Sequence, residues 1–521
     1  MNQITTFVRV LRVASLLQTR SLFGALMFAT IAAFGSRIVS SPSEAALRAA
    51  LSGGGDVTFN CDGIITLSAP LAITDDTSIV AKMNQITLNG NRAGRLFTVS
   101  ANAKLELEGL TLANGLSDSG GAICNTGTVR ALDCRFVGNL ASNVMTLAYR
   151  GGAVYNAGEF TARQCTFAQN SAATPINHGP EVYLSSGGAI FNAGTLALTE
   201  CLLVNNQAVG YYGVNGYNAY GGGSGGPGRA GGNAMGGALC NEGAARLVNC
   251  TVVSNSCTGG YGGYGGEGPY SMHNRDRIYY GPGGNGGNGG SGLGGGIYSV
   301  GYSINLTNCT IAYNSATAGQ GGYYGGGSPP GVSGTNGSVS GALHASGTAN
   351  LINALLAANS PTNATGGLSD LGHNLSSDGS CTFLGPGSLE NTDAKLGSLA
   401  DHGGPTLTLP LLPGSPARDA ADNAAAPATD QRGRPRPYGQ TSDIGAYEVM
   451  PLLRVSRAPG NIMAIQIFDA PANQSCCLQV TATLTNWQHV KTNGINADGT
   501  SLFMEDYDPT MAMRFYRVVN P

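Results

Sequence analysis

A chain of 521 residues is longer than one compact core usually supports, so the sequence predicts either several domains or one elongated repeat architecture. With 81 glycines, 11% charged residues and 42% hydrophobic residues, the chain is too apolar for disorder and must turn often while it buries side chains. The net charge of −3, with no Lys/Arg cluster after the first twenty residues, excludes a nucleic-acid-binding surface.

Residues 1–36 are predicted to be an export signal peptide. Arg9, Arg12 and Arg20 precede an apolar run over 22–35, and small residues follow that run. The run is shorter than the roughly 20 residues that a membrane-spanning helix needs. An uncleaved anchor helix is the alternative, because no small-x-small cleavage site stands out. The protein is therefore expected to be secreted or to lie at the bacterial cell surface or outer membrane.

Residues 37–119 are predicted to form an N-terminal cap and the first coils of the repeat fold. The segment SPSEAALRAAL at 41–51 has helical spacing and a serine suited to cap the helix, and SGGG ends it. An open end of a solenoid exposes strand edges and apolar interior, so we expect this helix to cover that end.

Six copies of one motif organise residues 120–363. They read GGAICNTGTVRALDCRFVGN, GGAVYNAGEFTARQCTFAQN, GGAIFNAGTLALTECLLVNN, GGALCNEGAARLVNCTVVSN, GGGIYSVGYSINLTNCTIAYN and SGALHASGTANLINALLAAN. Each copy has two short runs in which apolar residues alternate, which predicts two strands with one buried face each. Such short strands must stack on those of the next copy. The predicted fold class is all-β, a right-handed parallel β-helix, with the handedness taken from the rule for parallel crossovers.

Two columns of identical residues follow from this register. Buried free cysteine behaves as a small hydrophobe, and asparagine amides can hydrogen-bond along a stack and tolerate left-handed turns, so we expect both columns to be structural ladders. Disulfides between adjacent rungs are the alternative for the cysteines. The members are Cys134, Cys165, Cys201, Cys250 and Cys309, and Asn139, Asn170, Asn206, Asn255, Asn314 and Asn359.

The pattern GGA(I/L/V) followed by FxxN, as in GGAI with FVGN and GGAV with FAQN, resembles the repeats of the chlamydial polymorphic membrane proteins. The resemblance covers about residues 45–363. Those proteins are autotransported adhesins with β-helical passengers, so the resemblance implies an adhesin-like function at the cell exterior.

Three glycine-rich inserts, at about 210–235, 258–293 and 319–339, leave the repeats at the same corner. Their three-residue glycine period suits extended helices of the polyproline type, which could pair side by side; flexible low-complexity loops are the alternative. We expect their tyrosines to form a surface that binds an extracellular glycan or protein. These tyrosines are Tyr211, Tyr212, Tyr217, Tyr261, Tyr264, Tyr270, Tyr323 and Tyr324.

Two further segments follow the repeats. Within residues 364–448, the motifs GGPTLTLPLLPGSPARDA, DQRGRPRP and DIGAYE resemble the choice-of-anchor Q domain, in family order. That family follows bacterial β-helices and precedes sorting or anchoring signals, so the resemblance implies envelope attachment or secretion. Residues 451–521 contain several strand-like runs and are predicted to form a small β-rich module.

An enzyme on the same scaffold is the competing function, as a polysaccharide lyase or glycoside hydrolase. Such enzymes need paired carboxylates, or a Ca²⁺ cluster of acids beside a basic residue. The acidic residues of the repeats are scattered, apart from a loose column at Asp133 and Glu200 that Gln164 interrupts. The sequence therefore predicts a binding or structural protein without a catalytic site, metal or cofactor.

Overall fold

Stacked parallel strands dominate the computed structural model, which describes residues 8–11, 37–142, 148–173, 184–219, 223–273, 276–279, 281–450, 452–460, 462–468, 470, 475–483, 485–496, 500–506 and 513–519. Three sheets of 18, 10 and 6 strands, here sheets A, B and C, run along the repeats. The predicted parallel β-helix is therefore confirmed.

Sheet A takes up to two strands from each coil, because the chain bends after the first strand and then continues on the same wall. Its strands are Arg37–Val39, Gly55–Phe59, Leu71–Ile73, Thr77–Val80, Phe97–Val99, Lys104–Glu108, Ile123–Asn125, Thr128–Leu132, Val154–Asn156, Glu159–Arg163, Ile190–Asn192, Thr195–Thr199, Leu239–Asn241, Ala244–Val248, Ile297–Ser299, Ile304–Thr307, Leu343–Ile352 and Ala364–Asp370.

Sheets B and C each take one strand from a coil. The strands of sheet B are Gly63–Thr66, Ile86–Asn89, Leu110–Ala113, Arg135–Val137, Thr166–Ala168, Leu202–Val204, Thr251–Val253, Thr310–Ala312, Leu355–Ala357 and Leu375–Ser376. Those of sheet C are Leu116–Ser117, Leu140–Ala141, Ser171–Ala173, Gln207–Val209, Ser256–Thr258 and Ser315–Thr317.

The alternation of apolar residues places one face of each strand in a continuous core. Phe160 and Ala162 of sheet A are fully buried, as is Phe167 of sheet B. The rings of Phe136 and Phe167, one coil apart, stack with centroids 4.6 Å apart and planes 8° from parallel. Like residues therefore lie above one another along the solenoid, as the repeats predict.

Single residues in the left-handed backbone region make the corners before sheets B and C. Gln164, with φ of 57°, precedes Cys165, and Gln169, with φ of 56°, precedes Asn170. The sequence interpretation associated the ladder asparagines with left-handed geometry, and this is wrong for Asn170. Gln169, the residue before it, takes the left-handed conformation instead, and the side-chain amide of Asn170 is directed into the solenoid.

The helix Glu44–Leu51 covers the N-terminal end as predicted. Ser43 caps it, because its Oγ accepts a hydrogen bond from the backbone N of Ala46 at 3.3 Å. Leu47 and Ala50 are buried against the first coil. This is the one helix among the described residues, and it is too short to cross a bilayer.

The C-terminal residues form a small β-rich module, as predicted. One sheet contains Leu452–Ala458, Ile462–Phe468 and Ser501–Asp506, and the other contains Ser475–Thr481, Gln488–Gly494 and Met513–Val519. The strand Val8–Leu11 pairs antiparallel with 513–516 at the edge of the second sheet. The remainder of the predicted signal peptide, including its apolar run, lies outside the described residues.

Candidate binding surface

The five ladder cysteines lie in one buried column at the corner before sheet B. Each is fully inaccessible to solvent. The Sγ of Cys165 accepts a hydrogen bond from the backbone N of Cys134 at 3.4 Å, one coil away. Burial raises the pKa of the Cys165 thiol. All twelve cysteines of the chain are free in the structure, and no group of three or more His, Cys, Asp or Glu residues within the described ranges could hold a metal ion.

The asparagine column forms an unbroken chain of amide hydrogen bonds beside sheet C. The Nδ2 of Asn170 donates to the Oδ1 of Asn206 at 3.0 Å and to the carbonyl of Phe136 at 2.9 Å. Its Oδ1 accepts from the backbone N and the Nδ2 of Asn139, both at 3.0 Å. The same pattern links Asn206, Asn255, Asn314 and Asn359 in turn. Each buried amide is thus satisfied by the next rung.

A second asparagine ladder, which the sequence interpretation missed, lies in sheet A. Asn125 donates to Asn156 at 2.8 Å, Asn156 donates to Asn192 at 2.7 Å, and Asn192 donates to Asn241 at 2.7 Å. The ladder ends on the hydroxyl of Ser299 at 3.0 Å. The signal was present, because four copies have Asn at the sixth position of the motif.

The loose acidic column at the corner holds no pair of free carboxylates. The Glu200 side chain is 3% exposed and lies 3.1 Å from the Nε of Arg163. It also accepts from the Nε2 of Gln164 at 2.8 Å. Asp133 and Glu200 are two coils apart with Gln164 between them, and all three have left-handed backbone. The carboxylate of Glu200 is therefore committed to stabilising a strained corner.

The segment after the repeats covers the outer face of sheet B, and we name residues 394–449 the clasp. Leu409 packs on the outward side chains of Leu202, Val204, Val253 and Ala312. Further along, clasp residues pack on the last strands of the sheet, and the cluster contains Leu355, Ala357, Leu375, Ala394, Leu411, Ala417, Ala421, Ile444, Tyr447 and Val449.

The clasp motifs supply its polar contacts with the solenoid. The Oγ1 of Thr251 donates to the Oε1 of Gln431 at 2.6 Å, although the two residues are 180 positions apart. The backbone N of Ala446 donates to the Oγ1 of Thr310 at 3.0 Å. Gln431 belongs to DQRGRPRP and Ala446 to DIGAYE. Both motifs therefore form hydrogen bonds that link the clasp to sheet B of the solenoid.

The interior of the clasp contains several buried ionisable side chains. Arg432 and Asp430 form an ion pair at 2.8 Å in which both side chains are inaccessible to solvent. The Arg432 guanidinium also lies 3.6 Å from the centre of the Tyr447 ring. Burial raises the pKa of Asp443 to about 6 and that of Glu448 to about 7.

The glycine-rich inserts leave the solenoid from sheet C and return through a fourth sheet, sheet D. Its strands are Ala148–Arg150, Leu184–Ser186, Ala234–Met235 and Gly292–Leu293. Sheets C and D pack on each other through small buried residues, namely Ala208, Ala234, Cys257 and Ala316. This narrow two-layered stalk sets the position and direction of all three inserts.

Beyond the stalk, the inserts continue as six extended segments in two layers, which we name the insert bundle. Segments 210–219, 259–269 and 319–327 form the first layer, and 223–233, 281–291 and 328–339 form the second. In the first layer, Gly213 donates to the carbonyl of Tyr261 at 2.7 Å and Gly262 donates to that of Gln320 at 2.8 Å. These bonds recur every third residue, which matches the three residues per turn of polyproline II.

Glycine is required where the two layers meet. The backbone N of Gly263 donates to the carbonyl of Arg229 at 2.8 Å, and that of Gly287 donates to the carbonyl of Gly263 at 2.8 Å. A Cβ on Gly263 would lie 2.1 Å from the carbonyl oxygen of Val214, and one on Gly287 would lie 1.8 Å from that of Arg229. No side chain fits in this interior, so all side-chain chemistry is displaced to the outside.

The outer face of the first layer carries a regular array of side chains, which we name the tyrosine face. Tyr261 and Tyr264, three positions apart, are 47% and 53% exposed. The ring of Tyr261 lies 5.2 Å from that of Tyr212, and the ring of Tyr264 lies 5.8 Å from that of Tyr323. The remaining members of the face are Asn215, Asn218, Glu267 and Gln320.

The polar side chains of the tyrosine face are held in place. The Oδ1 atoms of Asn215 and Asn218 accept hydrogen bonds from the backbone N atoms of Tyr264 and Glu267, both at 2.8 Å. The carboxylate of Glu267 forms an ion pair with Arg277 of the hairpin Tyr270–His273 and Asp276–Tyr279. The face therefore presents aromatic rings and amides, and its one acidic side chain is paired.

The outer face of the second layer has a different chemistry. It presents small side chains such as Pro282, Asn285, Asn288, Val332 and Thr335, with no aromatic ring among them. The Oδ1 atoms of Asn285 and Asn288 accept from the backbone N atoms of Val332 and Thr335, both at 2.9 Å. The two faces of one bundle are thus distinct surfaces.

Not all of the predicted tyrosines lie on the tyrosine face. Tyr211 is 4% exposed, contrary to expectation, because it lies where the stalk meets the bundle. Tyr217 and Tyr324 are exposed but belong to the edges of the first layer. Tyr270 is half-buried in the hairpin, with its ring 5.6 Å from that of Tyr279.

No protein-family model matches the chain, and no curated protein or solved structure matches it. Function must therefore be inferred from the surfaces of the chain itself.

Proposed function

We propose that this protein is an exported binding protein of the bacterial cell exterior, whose tyrosine face contacts a neutral glycan. The observation that carries the proposal is a set of four exposed tyrosines held at fixed spacing by a backbone hydrogen-bond network. The β-helix acts as the rigid support, and the adhesin-like resemblance of the repeats agrees with this role.

The chemistry of the tyrosine face suits a sugar chain. Tyrosine offers an apolar ring that stacks on the C–H face of a pyranose and a hydroxyl that bonds to its polar edge. Tyr261 and Tyr264 are separated by one turn of the segment, about 9 Å at the polyproline rise, so the rings can contact every second sugar of one chain. The amide of Gln320, beside Tyr261, can bond to sugar hydroxyls.

The charge and the rigidity of the tyrosine face restrict the class of ligand further. Among the described residues, the tyrosine face has no unpaired cation that could bind a polyanion, since Arg277 is paired with Glu267. The glycine network fixes the segments before binding, so little conformational entropy remains to be lost on association. Neighbouring rings are tilted by 44° and 33°, which favours a twisted single chain over a flat crystalline surface.

Attachment to the envelope is proposed through a part of the chain other than the DQRGRPRP and DIGAYE motifs. Asp430, Gln431, Arg432 and Glu448 are buried in the clasp and occupied by internal contacts. A motif whose side chains are used in this way cannot also present them to an anchoring partner.

The proposal is tested by measuring binding of the purified full chain to soluble neutral polysaccharides such as β-glucan, galactomannan and arabinoxylan. Replacing both Tyr264 and Tyr323 with alanine should weaken binding by at least about tenfold per ring. Tyr217→Ala is the matched control, because Tyr217 is 72% exposed but lies at the edge. Equal binding by the double variant and the control would contradict the proposal. A parallel assay for polysaccharide cleavage would detect the competing enzymatic function.

A further inference from the structure

The two ring pairs of the tyrosine face have a geometry that permits a covalent reaction. Tyr212 and Tyr261 have ring centroids 5.2 Å apart, and Tyr264 and Tyr323 have centroids 5.8 Å apart. Both values lie within the range of contacting aromatic pairs. All four rings are between 47% and 70% exposed, so a solvent-borne oxidant can reach every phenol.

We propose that these two pairs are sites of oxidative cross-linking to dityrosine, driven by a haem peroxidase and hydrogen peroxide. Each phenol loses one electron and its O–H proton, which gives two phenoxyl radicals in contact. A C–C bond forms between the ring carbons adjacent to the two oxygens, and the two ring C–H protons then move to the oxygens and restore both phenols. The O–O bond of one peroxide breaks, and the peroxide takes up two electrons and two protons to give two waters.

The backbone of the insert bundle favours coupling within a pair over coupling between molecules. Tyr212 and Tyr261 are on adjacent segments joined by the bond from Gly213 to the Tyr261 carbonyl, and Gly265 donates to the carbonyl of Tyr323 at 2.8 Å. The two radicals of a pair are therefore held in contact, at an effective concentration far above that of a second molecule in dilute solution.

The cross-links would join all three segments of the first layer. The first pair connects 210–219 to 259–269, and the second pair connects 259–269 to 319–327. Hydrogen bonds and ring contacts hold these glycine segments together, so two covalent links would restrict their separation in the unfolded state and stabilise the bundle. Within this protein the reaction involves only the neighbouring phenols, so it does not depend on whether the face binds a glycan.

The test treats dilute full-length protein with peroxidase and hydrogen peroxide and follows dityrosine fluorescence. Cross-linked peptides are then sequenced by fragmentation mass spectrometry, which also separates the Tyr264–Tyr323 link from one between Tyr270 and Tyr279. We expect the links Tyr212–Tyr261 and Tyr264–Tyr323 in protein that remains monomeric. Each of Tyr212→Phe and Tyr323→Phe should remove its own link and leave the other, because phenylalanine keeps the ring but cannot form a phenoxyl radical.

The matched controls are Tyr217→Phe and Tyr324→Phe, which alter exposed tyrosines with no ring partner among the described residues. Neither control should reduce the yield. Circular dichroism of every variant verifies that the fold is retained. Absence of both links from folded wild-type protein, or links through Tyr217 and Tyr324 at equal yield, would overturn the proposal.

Discussion

Replacing Asn170 with leucine tests whether the asparagine ladder stabilises the solenoid. The Asn170 amide is fully buried and takes part in four hydrogen bonds, two as donor and two as acceptor. Leucine has a similar size but forms none of these bonds. At about 1 kcal/mol of net stabilisation for each bond, the loss is about 4 kcal/mol. The carbonyl of Phe136 and the backbone N of Asn139 would be left buried without these partners.

The effect should be local, because each coil of a solenoid contacts chiefly its neighbours. A single unfolding midpoint of the whole protein is therefore a poor measure of this local loss of stability. Amide hydrogen exchange, which reports on individual coils, is better suited. In peptides that span residues 135–142 and 166–173, a loss of about 4 kcal/mol would speed exchange by about a thousandfold. The coils near the N-terminal helix should keep their protection.

Asn305→Leu is the matched control. Asn305 is on the exposed side of sheet A and takes part in one side-chain bond, from the Nδ2 of Asn350 at 2.8 Å. Surface bonds of this kind contribute little, so exchange should change by less than about tenfold. If Asn170→Leu left exchange unchanged in both peptides, or if the control had an equal effect, the ladder would not be a source of stability.

Three further outcomes follow from the structure. Gly263→Ala should disorder the insert bundle, because its Cβ would lie 2.1 Å from a carbonyl oxygen. Gly223→Ala should be tolerated, because the nearest atom to its Cβ would lie 4.0 Å away. Hydrogen exchange of the insert amides distinguishes the two variants. Because burial raises the pKa of Asp443 to about 6 and that of Glu448 to about 7, the folded clasp binds protons more tightly than the unfolded chain. The unfolding temperature of the clasp should therefore be highest below about pH 4 and should fall as the pH rises to about 7. Glu448→Gln should make this fall smaller. The buried thiol of Cys201 should react with maleimide only after unfolding, and reaction in the native protein would contradict its place in the buried column.

Periodic features of the fold could be predicted from the sequence, whereas contacts without a period could not. The columns that contain Cys165 and Asn170 follow from aligning six copies of one motif. The contact between Thr251 and Gln431 joins residues 180 positions apart, and no spacing rule relates them. Clasp motifs are therefore recognisable as motifs, but the wall that they cover can be found only in three dimensions.

The insert bundle shows the same distinction within one feature. A glycine at every third position predicts an extended segment that can pair with others, and a flexible loop remained the alternative. In the structure the insert segments pair with one another, because the stalk brings all three inserts to one place. Ala208, Ala234 and Cys257 pack between the two layers of the stalk. The burial of Tyr211 could not be predicted, since it depends on where the stalk ends and the bundle begins.

The glycine interior also explains why a recognition surface would be built on such inserts. In each segment, one residue per turn places its side chain on the outer face. The other two residues of the turn lie in the glycine interior or at an edge of the bundle. A substitution at an outward position such as Tyr264 changes the surface without disturbing the interior, whereas one at Gly263 places a Cβ against backbone. The proposed binding specificity and the stability of the bundle would therefore be carried by different residues of the same segment. Variation confined to the outward positions should alter the ligand and leave the scaffold unchanged.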